Sequence, residues 1–333
     1  EQEYERLLPL GLSTYIQGYQ LLTNSSAEQA KAQLRAFVQQ LSGTGTDDIE
    51  SALTTLCQAQ GTCDIREELQ KLGAGEVLID KFMSLYTWAR DNVYLPEERQ
   101  QFHSDVCTIL THAQQHTASL RWLTIFAGLG ALLEHMQKDA PTAIAEYKAS
   151  IRTAAQGVTN GWQLAALRLP VEGVWMSVIF FNASYPTNAG PRQALFIANF
   201  FHISSFDPNN PSRIFQFVNA AINASLSNLI GITDNFRMIG VVIVGATSAG
   251  QISGMINALQ NTYGNWSGAI FIVWVDDQGR VWFVCIGQGC NQLSPSQQKQ
   301  EACMLAGRGP DCGAQRWYSG GTDPSTPVVQ ITP

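Results

Sequence analysis

Three short apolar runs near the end of the chain constrain its fold more than any other feature. They are rich in β-branched and aromatic residues and occupy residues 239–244, 269–275 and 280–286. Each is too short for a buried helix, and none alternates between apolar and polar residues as a half-exposed strand would. The runs therefore predict strands at the centre of a sheet that is covered on both faces.

The segments between these runs predict a helix and a tight turn. Residues 249–263 have the spacing of an amphipathic helix, and Asp-Asp-Gln-Gly at residues 276–279 indicates an antiparallel hairpin. A strand, a glycine turn and a helix also outline a dinucleotide-binding unit, and the string from Gly245 to Gly250 is similar to the turn of short-chain dehydrogenases. The third glycine of the fingerprint and the Tyr-x-x-x-Lys sequence of those enzymes are absent, so packing in a sheet core is favoured over nucleotide binding.

The first half of the chain has the periodicity of amphipathic helices joined by short loops. Capping patterns predict helix starts at Ser26 and Asp64, and Pro96 is suited to the first turn of another helix. The segment 122–133 is apolar nearly all round, but a membrane-spanning helix needs about 20 residues. We therefore expect a central helix there rather than a transmembrane span.

These patterns predict an α+β protein with three regions. A helical, bundle-like domain, residues 1–165, is expected to pack on a mixed α/β sheet domain, residues 166–290, which has two covering helices. An irregular tail stapled by disulfides, residues 291–333, follows. The charge distribution supports a division, since 19 of the 27 acidic residues lie in the first 150 positions. The net charge of −7 argues against nucleic acid as a partner.

The cysteines and the Asn-x-Ser sequences favour a secreted, oxidised glycoprotein over a cytosolic protein with ordinary thiols. A Gly-, Gln- and Pro-rich segment with little apolar content needs stapling, and it contains Cys285, Cys290, Cys303 and Cys312. Cys57 and Cys63 flank a short loop and are expected to form a disulfide, which leaves Cys107, within a helix, as the free thiol. The candidate glycosylation sites are Asn24, Asn182, Asn223 and Asn265.

Four of the five histidines lie in the helical half, which raises the question of a metal site. His112 and His116 are one helical turn apart and share a face, and His103, Asp105 and Cys107 lie just upstream. The residues one turn before His112 offer no ligand, so two solvated histidines are the favoured interpretation. The sequence therefore predicts no metal and no cofactor.

His202 is the one histidine of the second half and ends an apolar strand. In a domain with so few charges, an ionisable group turned inward is costly unless it is paired or used. A catalytic acid–base role is therefore predicted for His202, with Asp207, Asp234 or Asp276 orienting it. The simpler interpretation is a surface residue at the end of a strand.

Aromatic residues crowd the second half, and residues 151–333 contain six of the eight tryptophans. Most are expected in the core, and some are expected to line an apolar site of the kind that binds small organic molecules. The candidates for that lining are Trp175, Phe200, Trp274 and Trp282.

The predicted function is that of a secreted glycoprotein that binds a small organic ligand. If it is an enzyme, it is a metal- and nucleotide-independent one, either an acid–base catalyst or a cofactor-independent oxidative enzyme of the luciferase kind. Two alternatives stay open. One is a membrane-active, toxin-like protein whose helical segments at 211–230 and 249–263 enter lipid, although neither has the basic face typical of interfacial helices. The other is a structural extracellular protein without a site.

Overall fold

The computed structural model describes residues 63–114, 140–168, 175–203, 211–232, 234–245 and 250–318. Several predictions concern residues outside these ranges, namely the early helices from Ser26, the apolar segment 122–133, Asn24, Cys57, His116 and Asp207.

The chain divides into two compact units, Glu1–Phe181 and Asn182–Pro333. The described residues contain seven α-helices and seven strands, and the strands form one mixed sheet whose spatial order follows the chain, β1 to β7. The mixed α+β class is therefore confirmed. No helix within the described ranges combines the length and the apolar character needed to cross a membrane.

The first unit contains helices and the first strands of the sheet. Its described elements are α1 (Ile65–Lys71), α2 (Glu76–Asn92), α3 (Arg99–Gln114), α4 (Ala140–Thr159), β1 (Gln163–Arg168) and most of β2 (Met176–Tyr185), which pairs antiparallel with β1. The predicted cap is confirmed, since the Asp64 carboxylate accepts hydrogen bonds from the backbone N–H groups of Arg66 at 2.9 Å and Glu67 at 3.3 Å. The α3 helix starts later than Pro96 because residues 95–98 form a turn, in which the Glu98 N–H donates to the Leu95 carbonyl at 2.9 Å.

The second unit contains the strands that the three apolar runs predict. Strands β3 (Arg192–His202), β4 (Phe236–Val244) and β5 (Ala269–Val275) are parallel, β6 (Val281–Ile286) is antiparallel to β5, and β7 (Gln315–Arg316) is parallel to β6. Parallel neighbours need crossover connections. Helix α5 (Pro211–Asn228) connects β3 to β4, and α6 (Gly250–Tyr263) connects β4 to β5.

Both faces of these central strands are covered, as the absence of alternation predicts. On one face, the Asn199 amide of β3 donates to the Ser225 hydroxyl of α5 at 3.0 Å. On the other face, a Cβ atom added at Gly240 of β4 would lie 2.9 Å from Cδ2 of Leu305. Leu305 is the last residue of α7 (Pro295–Leu305). Helices α5 and α7 therefore lie on opposite sides of the sheet.

The prediction of an irregular tail is wrong for the part that contains α7. The Ser294 hydroxyl accepts from the Gln297 N–H at 3.2 Å, and the Gln297 side chain accepts from the Ser294 N–H at 3.0 Å. This capping box, with Pro295 in the first turn, starts a helix in a sequence of low apolar content. The predicted disulfides of this region are confirmed as Cys285–Cys290 and Cys303–Cys312.

The prediction that Cys107 is a free thiol is also wrong, because Cys107 forms a disulfide with Cys63. The two residues are separated by 44 positions, yet their Cα atoms lie 5.8 Å apart. Cys63 therefore cannot pair with Cys57 as loop closure suggested. The physical reason is tertiary: packing of α1 against α3 brings the start of one helix beside the middle of the other.

Candidate functional site

The first unit, Glu1–Phe181, which we call the helical unit, brings two cysteines and a histidine together. We call Cys63, His103 and Cys107 the cysteine–histidine cluster. His103 and Cys107 are four residues apart on α3, so their side chains lie on the same face of the helix. Cys63 directly precedes Asp64, the N-cap of α1. The two sulfur atoms and one ring nitrogen of His103 all lie within 4.8 Å of one another.

Hydrogen bonds fix the orientation of the His103 ring. Its Nε2 lies 2.9 Å from the Cys63 carbonyl oxygen and 3.5 Å from Cys107 Sγ. A carbonyl can only accept, so Nε2 carries the proton, and the neutral ring then accepts at Nδ1 from the Tyr86 hydroxyl at 2.7 Å. Tyr86 therefore aims the Nε2 edge of the ring at the sulfur atoms.

Tyr86 is itself held in place. Its ring stacks on Phe102 with a centroid separation of 5.4 Å, and the Arg90 guanidinium lies 5.9 Å from the ring centroid. Burial raises the pKa of the Tyr86 phenol, and Arg90 opposes that rise. The phenol is thus a neutral hydrogen-bond donor near pH 7, fixed between an aromatic ring and a cation.

The two cysteines differ in exposure. Cys107 is buried, with 6% of its surface accessible, whereas Cys63 is partly exposed at the start of α1. Because of this difference in exposure, a reagent in solution meets Cys63 before Cys107.

Asp105 does not belong to the cluster, since its carboxylate lies 3.3 Å from the Arg152 Nε of α4 and accepts from the Gln101 amide at 2.8 Å.

A small cavity borders Tyr86. Its lining is apolar apart from two phenols and consists of Phe82, Leu85, Tyr86, Ala89, Phe102, Val106 and Tyr147. The volume open to the centre of a water molecule is about 10 Å³, which is of the order of one water. The buried Tyr147 hydroxyl has no hydrogen-bond partner among the described residues, and burial raises its pKa. The cavity is too small for an organic ligand.

In the second unit, Asn182–Pro333, which we call the sheet unit, the predicted catalytic residues His202 and Asp234 are not brought together, and Asp207 lies outside the described residues. His202 ends β3 at the carboxyl edge of the parallel strands, where its Nε2 lies 3.4 Å from the position of a Cβ atom on Gly245. Asp234 lies just before β4, whose first residue, Phe236, pairs with Ala194, whereas His202 pairs with the last residue of β4. Eight residues of parallel strand, about 26 Å, thus separate the two ends.

Asp276 follows β5 and organises the predicted hairpin turn. Its carboxylate accepts from the Arg280 guanidinium at 2.6 Å, from the Trp282 indole N–H at 2.9 Å and from backbone N–H groups of the turn. Burial opposes ionisation of Asp276, but the hydrogen bonds from Trp282 and Arg280 outweigh it and lower the pKa to about 2. The sharp turn also requires a positive φ at Gly279, here 75°.

The predicted aromatic lining is brought together only in part. Trp274 and Trp282 are cross-strand partners, and the register aligns them with Ile243 of β4 and Phe201 of β3. Phe200 points to the opposite face because side chains alternate along a strand. Trp175 is buried in the first unit. The indole N–H of Trp274 is fully buried and finds no hydrogen-bond partner within the described ranges.

The candidate glycosylation sites differ in accessibility. Asn265 is exposed in a turn and Asn223 is exposed on α5, where its side-chain oxygen accepts from the Tyr263 hydroxyl at 3.0 Å. Asn182 is half-buried in β2. Glycosylation stays a prediction at all of them.

Comparison of the chain with protein-family models, with curated proteins and with solved structures gives no match. The chemistry of the protein is therefore inferred from its own residues.

Proposed function

We propose that the protein acts outside the cell and that the Cys63–Cys107 disulfide of its helical unit is a reducible bond that exchanges with thiols. Three disulfides in the described residues are consistent with an oxidising, extracellular setting. The observation that carries the proposal is the distance of 3.5 Å between His103 Nε2 and Cys107 Sγ. An imidazole at this position stabilises a departing thiolate.

The exposure of the two cysteines sets the direction of exchange. A thiolate from solution attacks Sγ of the partly exposed Cys63, the bond between Cys63 and Cys107 breaks, and Cys107 leaves with the electron pair. The product is a mixed disulfide on Cys63. A second thiolate then attacks the sulfur of the reagent, releases Cys63, and leaves the protein with two thiols and the reagent as its disulfide. In sum, a dithiol is oxidised and the protein is reduced.

His103 favours the first step through its Nε2 proton. In the disulfide form this proton is donated to the Cys63 carbonyl, and a thiolate at Cys107 offers a charged acceptor next to it. Hydrogen bonds to charged groups contribute about 1.5–3 kcal/mol, and about 1.4 kcal/mol corresponds to a factor of ten in an equilibrium constant. We therefore expect His103 to make this disulfide at least about tenfold easier to reduce.

Selective reduction tests the proposal. The protein, in a Cys57→Ser background to exclude the seventh thiol, is equilibrated with a series of dithiol/disulfide buffers, alkylated, and mapped by peptide mass. Cys63 and Cys107 should be labelled in buffers at least about tenfold less reducing than those that open the other two disulfides. The first mixed disulfide should form on Cys63.

Two variants of α3 provide the matched comparison. His103→Gln should require about a tenfold higher ratio of dithiol to disulfide, whereas His112→Gln, on the same helix but outside the cluster, should leave the ratio unchanged. Earlier opening of Cys285–Cys290, or equal behaviour of the two variants, would overturn the proposal.

The sheet unit supports a second candidate function, the binding of a small organic molecule. The observation that favours it is the buried Trp274 indole N–H without a described partner, near the carboxyl edge of three parallel strands. That edge is where open α/β sheets receive ligands. The ligand class that fits is an aromatic molecule with a hydrogen-bond acceptor.

A dye assay tests this second function. A naphthalenesulfonate dye, which combines aromatic rings with acceptor oxygens, should quench tryptophan fluorescence on binding. Trp274→Phe keeps an aromatic ring but removes the N–H and should weaken binding about fivefold to tenfold. The control is Trp282→Phe, since its indole N–H is already bonded to Asp276. Equal affinity of the dye for Trp274→Phe and the wild type would count against this function.

A further inference from the structure

We propose that the reduced cysteine–histidine cluster binds a soft divalent metal ion of the zinc type. The ligands would be the two sulfur atoms of Cys63 and Cys107 and Nε2 of His103. The inference rests on the proposed reducibility of the disulfide only in that a reductant must open it. It adds a second state to the cluster, in which a metal ion replaces the covalent bond.

The spacing of the donor atoms fits such an ion. Zinc lies about 2.3 Å from thiolate sulfur and about 2.0 Å from imidazole nitrogen in tetrahedral sites, which places sulfur and nitrogen about 3.5 Å apart. His103 Nε2 and Cys107 Sγ are already 3.5 Å apart. All three donor atoms lie within 4.8 Å of one another, so shifts of the sulfur atoms by about 1–2 Å complete a tetrahedral set once the disulfide is opened.

Tyr86 provides the support that a metal-bound histidine needs. Such histidines almost always use their other ring nitrogen in a hydrogen bond that fixes the ring and its tautomer. The Tyr86 hydroxyl lies 2.7 Å from His103 Nδ1 and occupies this position. When Nε2 binds the metal, the ring proton moves to Nδ1 and is donated to the Tyr86 oxygen, and the bond from Nε2 to the Cys63 carbonyl is given up.

Protons, electrons and charge balance in this scheme. A dithiol or a phosphine supplies two electrons, two protons convert the disulfide to two thiols, and the metal displaces those protons when it binds. Two thiolates, a neutral imidazole and a divalent cation form a neutral set, which reduces the cost of burying it. The partly exposed side of Cys63 leaves access for a water molecule as the fourth ligand.

Cobalt(II) titration of the reduced protein is the direct test. The full chain is reduced with a phosphine, the reductant is removed without oxygen, and Co²⁺ is added. We expect one ion per chain, with a sulfur-to-cobalt charge-transfer band and the ligand-field bands of a tetrahedral site, and displacement by Zn²⁺. The oxidised protein should show neither band.

Three variants distinguish metal binding at the cluster from metal binding at the other cysteines. His103→Gln keeps all seven cysteines and should lower the affinity for Co²⁺ at least about tenfold, and Tyr86→Phe should lower it about 10–100-fold. His112→Gln should behave as wild type. Equal affinity in His103→Gln and His112→Gln would sink the proposal.

Stability gives an independent readout if reduction loosens the helical unit. Zn²⁺ should then raise the unfolding midpoint of the reduced wild type but not of reduced His103→Gln. A reduced protein that Zn²⁺ neither refolds nor stabilises would also overturn the inference. Because all disulfides are opened chemically here, failure of metal binding is distinguishable from failure of selective reduction.

Discussion

The helical unit and the sheet unit place their disulfides in opposite surroundings. The single bridge described in the helical unit spans 44 residues and lies against a histidine that a tyrosine orients. The two bridges of the sheet unit span 5 and 9 residues; the first precedes the capped helix α7, and the second joins Cys303 of α7 to Cys312 beyond it. Separation along the chain determines how strongly a disulfide restricts the unfolded state, whereas its neighbours determine its chemistry.

The buried carboxylates of the two units also have different kinds of partner. The helical unit buries Glu68, Asp105 and Glu146, and the first two lie beside cations, Lys71 at 2.9 Å and Arg152 at 3.3 Å. In the sheet unit the buried Glu301 accepts from the Tyr185 hydroxyl at 2.9 Å, and burial together with Glu301 raises the pKa of that phenol. Cations thus lie beside Glu68 and Asp105 in the helical unit and beside Asp276 in the sheet unit, whereas Glu301 is bonded to a neutral phenol.

Removal of each disulfide is the strongest way to test this comparison. For loops of 44, 9 and 5 residues, chain-entropy arguments give about 4, 2.6 and 2 kcal/mol at 25 °C. Cys63→Ser/Cys107→Ser should therefore lower the free energy of unfolding about twice as much as Cys285→Ser/Cys290→Ser. Guanidinium unfolding followed by circular dichroism measures both. A larger loss for the shorter loop would show that native contacts, not chain entropy, dominate.

The central sheet could be predicted from sequence because its signal is local. The runs at 269–275 and 280–286 correspond to β5 and to Arg280 followed by β6, since strands buried on both faces carry no polar residues. The α7 helix was missed because its composition is polar, although its start, Ser294 to Gln297, is a readable capping box. Which helix covers which face depends on tertiary contacts that no local pattern encodes.

The candidate site could be predicted only in part for the same reason. The spacing of His103 and Cys107 places them on one helical face, which is visible in the sequence. Their partners Cys63 and Tyr86 come from other elements, 44 and 17 positions from the residues that they bond. In the sheet unit, the pairing of Trp274 with Trp282 follows from the hairpin, whereas the distance of Asp234 from His202 follows from strand register.

Alanine substitutions at two buried glycines test how tightly each unit is packed. A Cβ atom at Gly157 would overlap Cε1 of Phe180, whose rigid aromatic ring is fully buried. At Gly240 it would meet Cδ2 of Leu305 at 2.9 Å, the end of a more flexible side chain. Gly157→Ala should cost about 3 kcal/mol and Gly240→Ala about 1 kcal/mol, the two ends of the range for overpacking. Equal costs in thermal unfolding would remove this distinction between the units.

One carboxylate in each unit should contribute to stability in a pH-dependent way, and removal of either should cost less than the largest of the effects above. The folded pKa of Asp276 is about 2, below its ordinary value of 3.8, so its contribution is present above pH 4 and is lost as the pH falls toward 2. After allowance for the half-exposed Arg280, Asp276→Asn should cost about 1–2 kcal/mol at pH 7 and almost nothing near pH 2.

The matched carboxylate in the helical unit is Glu98. The hydrogen bond from Lys148, 2.7 Å long, lowers its pKa, but 39% of the Glu98 side chain is exposed. Glu98→Gln should therefore cost no more than about 0.5 kcal/mol. Urea unfolding from pH 2 to 7 compares the two variants, and a cost for Glu98→Gln equal to that of Asp276→Asn would contradict the ranking.

Substitution of two exposed glycines by alanine should change the stability least, and the two changes should have opposite signs. A Cβ atom meets nothing within 4 Å at Gly254 of α6 or at Gly75, the N-cap of α2. Gly254 lies inside a helix, where alanine is preferred, so Gly254→Ala should stabilise the sheet unit by about 0.4–1 kcal/mol. Gly75 has an extended backbone with ψ of 152°. Because alanine is a poorer N-cap than glycine, Gly75→Ala should destabilise the helical unit by roughly a few tenths of a kcal/mol. Because steric room is the same at both sites, shifts of the same sign in the unfolding midpoint would show that helix position does not control the outcome.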